Sequence, residues 1–142
     1  MVDDAPGQAL SGGHRLTLGK ARVGQDKFRA ELRQRFGDVC AITGPQPASA
    51  VEAAHLYRYC DTATHDVMGG LLLRRDLHAL FDRFLLAVDP RTWTVRIAPS
   101  LAAYSDLAKL DGMPLAIPAA LYRKAKYLKA HLGWAQDQRR LS

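Results

Sequence analysis

Apolar residues in "QDKFRAELRQRF" recur at steps of four, at Phe28, Leu32 and Phe36. On a helix of 3.6 residues per turn they share one face, so the segment predicts an amphipathic helix. Gly37 suits its C-terminal cap, because glycine enters the left-handed region at little cost. "VCAITGPQP" follows as a short apolar segment ending in a turn. "AVEAAHLYRY" predicts a strand, with Ala53 and His55 on one face and Glu52 and Ala54 on the other. "CDTATHDVMGG" is polar and ends in glycines, as a loop does, and "LLLRR" is too short to assign by period.

"RDLHALFDRF" predicts a second helix, with Asp76 as its N-cap and Leu77, Leu80, Phe81 and Phe84 as its apolar face. "FLLAVDPRTWTVRIAP" is the clearest hairpin, two β-rich runs around a turn at Asp89-Pro90-Arg91, with Trp93 as a packing residue. After the turn-rich "LDGMPLAIP", the run "AALYRKAKYLKAHLGWAQDQ" predicts a last helix. Leu121, Ala125, Leu128 and Leu132 line its apolar face, and Trp134 closes it against the core.

These elements make one compact α+β domain over residues 15–142, preceded by a Gly-, Ala- and Asp-rich stretch, 1–14, expected as a tail or linker remnant. At 142 residues and 48% hydrophobic, the chain can build a core of its own. No apolar run approaches the roughly 18–20 residues of a membrane span. The opening "MVDDAPGQAL" is acidic where a signal peptide is basic. The expectation is a soluble, cytoplasmic protein without a membrane partner. Cys40 and Cys60 form no CxxC pair and are expected as free thiols. The formal charge of +6 favours a polyanionic partner without identifying one.

The candidate chemistry lies in the middle of the chain. His78 and Asp82 are four residues apart on the second helix, so their side chains stack on one face. Imidazole nitrogen with carboxylate oxygen suits a borderline or hard divalent ion. A hairpin packed on that helix would bring His55 from the other side. A neutral histidine can take a proton from water, and an adjacent metal can stabilise charge on phosphoryl oxygens. Together they are the minimum equipment for phosphodiester hydrolysis.

In order, "VCAITG", "EAAHLYRY", "GGLLLRRDLHALFD" and "FLLAVDP" resemble the successive blocks of the HNH endonucleases. They are most similar to the restriction-type branch without zinc-binding CxxC pairs, and the likeness runs from about Arg22 to Pro99. The resemblance implies a ββα-metal finger, here with an additional β-hairpin and flanking N- and C-terminal helices. It implies a metal-dependent DNA endonuclease in which His55 is the general base and His78 and Asp82 are metal ligands. It further implies one divalent ion, Mg²⁺ or Mn²⁺ first and Zn²⁺ or Ni²⁺ as alternatives, and products with 5′-phosphate and 3′-hydroxyl ends. The implied partner is double-stranded DNA, with a separate DNA-reading domain or a homodimer left open. Arg58, Arg74 and Arg75 are the candidates for gripping phosphates.

The chain departs from the family pattern at Gly69, where "NGL" is expected and "GGL" is found. The family asparagine holds the base histidine in place, and glycine has no side chain to do so. Three readings follow: retained activity with a looser loop helped by His65 or Asp66, a change that silences the enzyme, or a catalytically impaired DNA-binding module of the same fold. Ala54 stands where many relatives carry an acidic ligand. Glu52 is a possible outer ligand, with a structural or solvent role favoured, His65 and Asp66 are treated as bystanders, and His14 and His131 belong to no motif.

Overall fold

The structure, a computed structural model, describes residues 27–56, 69–118, 125–138 and 140–141. The predicted tail 1–14, Cys60, Arg58, His65 and Asp66 lie outside the described residues.

The first helix, α1, runs over residues 27–36. Phe28 and Leu32 are buried and Phe36 is half-buried, as the four-residue step requires. Gly37 follows at φ 78°, and its N–H donates to the Arg33 carbonyl at 2.8 Å. That closes the helix end through the left-handed conformation that glycine favours. A minimal hairpin, β1 (Val39–Cys40) and β2 (Gly44–Pro45), comes next. The Cys40 thiol is buried and accepts backbone N–H groups from Thr43 and Arg74, at 3.5 and 3.3 Å.

The centre of the fold is an antiparallel pair, β3 (Val51–His55) with β4 (Gly70–Arg74). In register, Val51 faces Arg74, Ala53 faces Leu72 and His55 faces Gly70. Alternation along the strands sends the two faces in different directions. Val51, Ala53 and Leu72 pack with Phe28 and Leu32 of α1. Ala54, Leu71 and Leu73 pack with Leu77 and Phe81 of α2 (Arg75–Asp82), in the main core. The hairpin is thus a layer between two helices.

α2 begins two residues earlier than the sequence suggested. Arg74 is the N-cap and has no side-chain cap bond, and Asp76 sits inside the first turn instead. There its carboxylate accepts the Leu77 N–H at 2.9 Å and pairs with Arg74 at 2.7 Å. A strand running directly into a helix leaves no position for the expected Asx cap. A carboxylate in the first turn still meets the positive end of the helix. The helix stops at Asp82, and Phe84 lies beyond it at φ 62° rather than continuing the apolar face.

The later hairpin is β5 (Leu86–Asp89) with β6 (Thr94–Ile97), antiparallel as predicted. Trp93 closes its turn at φ 58° and donates its indole N–H to the Ile117 carbonyl at 2.8 Å. A short helix, α3 (Ser105–Ala108), follows. The last helix, α4 (Ala125–Asp137), packs on β5. Leu128 and Leu132 are buried as expected, joined by Tyr127, His131 and Ala135. Trp134 is half-exposed and stacks on Phe84, with ring centroids 5.9 Å apart. Leu121 falls outside the described residues. No helix among the described residues is long and apolar enough to cross a membrane.

Candidate active site

His78 is held on α2 with only 3% of its side chain exposed. Its Nδ1 lies 2.8 Å from Oε1 of Glu52, across the gap from α2 to β3. A carboxylate can only accept, so Nδ1 carries the proton and donates. In the neutral ring that leaves Nε2 with its lone pair. Asp82 approaches from the same helix, with Oδ2 3.3 Å from Nε2. Glu52 is anchored from its other oxygen by Arg75, at 3.4 Å. The chain Arg75–Glu52–His78–Asp82 therefore joins the strand and the helix through one buried imidazole.

The Nε2/Oδ2 spacing can be compared with what a shared cation demands. Metal–nitrogen and metal–oxygen bonds of about 2.1 Å at angles between about 90° and 110° separate the two donors by about 3.0–3.4 Å. The observed 3.3 Å falls within that range. The donor set also fits, since a neutral imidazole with its far N–H on a carboxylate is a common way of presenting a metal ligand. Asp82 is one-fifth exposed and forms the solvent-facing side of the pair. Among the described residues, no group of three or more His, Cys, Asp or Glu side chains is placed to hold a metal ion. The pair offers two donor atoms, and an ion held there would draw the rest from water or substrate, as Mg²⁺ does with phosphates.

His55 is elsewhere. It ends β3 on the face that meets α1, and its ring stacks on Phe28 with centroids 4.4 Å apart and planes 24° from parallel. The expectation that His55 would approach the His78–Asp82 pair directly is not met. Strand alternation turns Glu52, not His55, toward α2. The two histidines occupy opposite faces of one thin layer. Beside His55, Gly70 is its register partner, and the carbonyl of buried Gly69 accepts the Leu56 N–H at 2.7 Å.

The phosphate-gripping candidates divide. Arg58 lies outside the described residues. Arg74 is tied to Asp76 by two hydrogen bonds, at 2.7 and 2.9 Å, which raise the guanidinium pKa above its ordinary value and hold the Asp76 carboxyl below its own. Arg75, the first residue of α2, has 69% of its side chain exposed.

Glu52, a possible outer ligand for which the sequence favours a structural or solvent role, is the partner that orients His78. The signal was its parity, since the strand face it shares with Ala54 must bury against α2. His131 was assigned to no motif, yet it is fully buried and donates Nε2–H to the Phe81 carbonyl at 2.7 Å. Its ring lies parallel to Phe81 at 3.5 Å. Its place three residues after Leu128, on the apolar face of α4, was the available clue.

Residues 40–89 match the family model described as HNH endonuclease. The matched segment contains β3, β4 and α2, and so Glu52, His55, Gly69, His78 and Asp82. The helix α1 lies outside it. No curated protein matches the chain.

Proposed function

We propose that the protein is a metal-dependent DNA endonuclease of restriction type, with a ββα-metal finger made of β3, β4 and α2. His78 and Asp82 would hold one divalent ion, Mg²⁺ or Mn²⁺ by preference for a mixed nitrogen–oxygen site completed by water and phosphate. When bound, that ion supplies charge stabilisation for the phosphoryl oxygens and the departing oxygen. The observation that carries the reading is the buried imidazole of His78, fixed by Glu52 at 2.8 Å with Nε2 turned to Asp82.

His55 takes the role of general base. Its position on the other face of the hairpin is compatible with in-line attack. The entering and departing oxygens lie on opposite sides of phosphorus, so base and metal ligands need not touch. A base nitrogen about 2.8 Å from the attacking water, and a ligand pair beyond the leaving oxygen, act from opposite ends of one reacting group. In this reading His55 accepts the water proton once water reaches its Nε2, which is buried in this structure, and the exposed Arg75 holds a phosphate without reading bases.

The second reading, a catalytically impaired DNA-binding module, draws on Gly69, which has no side chain for the work of the family asparagine. Supercoiled-plasmid cleavage in Mg²⁺ or Mn²⁺ separates the two. An endonuclease yields nicked or linear DNA, and His55→Ala and His78→Ala each abolish it. DNA retarded in a gel but never cut, even by Gly69→Asn, supports the binding module instead. Cleavage undiminished by His55→Ala removes that residue as the base.

A further inference from the structure

His55 is steadied by something other than residue 69. Its imidazole stacks on the Phe28 ring at 4.4 Å, and Phe28 is buried in α1. The same ring explains the glycine at position 70. A Cβ built on Gly70 would lie 2.2 Å from Phe28 Cζ and 2.8 Å from Phe28 Cε2, far inside van der Waals contact. It would also lie 2.8 Å from Leu32 Cδ1. Gly70 is the register partner of His55, so the phenyl ring occupies the space above one member of the pair and lies against the other. Tight packing on a ring face restricts the imidazole.

We propose that Phe28 is the positioning residue for the base His55, doing from α1 what Gly69 has no side chain to do, and that Gly70 is required to admit its ring. The proposal rests on the reading of His55 as the base. It makes α1, which lies outside the family-matched segment 40–89, part of the active site. Removing the ring leaves the metal-ligand pair untouched, because that pair is on the other face of the hairpin. The effect therefore falls on turnover and not on metal affinity.

The test compares the wild type with Phe28→Leu, which keeps an apolar side chain without a ring, and with Gly70→Ala, which pushes the ring aside. Folding of each is checked by far-ultraviolet circular dichroism. The first readout is the ¹H–¹³C correlation spectrum of the His55 ring. In the wild type its protons are shifted by the Phe28 ring current, and both variants move them toward free-histidine positions. The second is plasmid cleavage, where kcat falls about tenfold to a hundredfold with KM for DNA and the Mn²⁺ dissociation constant unchanged. His55 signals identical in wild type and Phe28→Leu overturn the proposal, as does unchanged kcat in an active enzyme. If the wild type does not cleave DNA, the endonuclease reading fails. The ring-proton shifts then still decide whether Phe28 holds His55. Should Phe28→Leu fail to fold, Gly70→Ala with the same two readouts decides the matter.

Discussion

Glu52 Oε1 accepts a hydrogen bond from His78 Nδ1 at 2.8 Å, joining β3 to α2 across the interior of the domain. Of all the contacts in the candidate site, this one gives the second histidine an orientation. It fixes which nitrogen carries the proton and which faces Asp82.

Glu52→Ala should weaken Mn²⁺ binding about 10- to 100-fold, the usual effect of losing a carboxylate behind a metal-binding histidine. The buried Nδ1–H would also lose its acceptor, at a cost of about 1–3 kcal/mol in stability. Glu52→Gln keeps an acceptor oxygen and should fall between the two proteins. Calorimetric titration of Mn²⁺ and urea denaturation measure these effects separately.

The Arg74–Asp76 pair predicts a contribution to the acid limb of stability. The hydrogen bond from Arg74 holds the Asp76 carboxyl below its ordinary range in the folded protein. A group with a depressed folded pKa stabilises the fold above its unfolded pKa, and that gain is lost as pH falls through the folded value. Asp76 is largely exposed, so solvent screens the pair and the contribution is small. Asp76→Asn should lower the melting temperature slightly at pH 7, and the difference from wild type should shrink toward pH 2–3, near and below the carboxylate range. Thermal melts across that interval give the comparison.

His131 offers a test of how α4 supports the site. Its N–H meets the Phe81 carbonyl at 2.7 Å, next to Asp82, in a fully buried setting. His131→Phe keeps the ring stack but drops the donor, and should cost about 1–3 kcal/mol. His131→Ala loses the stack as well and should cost more, through the cavity it leaves. Chemical denaturation of the two variants orders them.

Arg75→Ala should weaken binding to duplex DNA by a similar factor for every sequence. A phosphate contact also predicts that the slope of log affinity against log salt becomes shallower by about one. A fluorescence-anisotropy salt series on two unrelated duplexes reads both effects. A loss confined to one sequence would contradict a phosphate role.

The fold was legible where a period or a turn signal is strong. The four-residue step of Phe28, Leu32 and Phe36 marked α1, and the β-rich runs around Asp89-Pro90-Arg91 marked the later hairpin. "LLLRR" could not be assigned alone, because a strand buried on both faces has no alternation to show. Its pairing with Val51–His55 decides it, and pairing is a long-range property. The His78–Asp82 pair was readable from helix spacing, which is local. Which side of the hairpin His55 takes was already implied by strand parity. What it meets there depends on a ring from α1, twenty-seven residues earlier in the chain. Gly70 looked like loop punctuation, and only three-dimensional packing shows that Phe28 fills the space of its missing side chain.

The claim on which the account turns is that one divalent ion seats between His78 Nε2 and Asp82 Oδ2. Titrating Mn²⁺ into the protein, with free ion followed by electron paramagnetic resonance, tests it directly. The account predicts one bound ion per wild-type chain, lost in His78→Ala and in Asp82→Ala while both remain folded. Unchanged stoichiometry and affinity in those two variants, or no binding by the wild type, would contradict it.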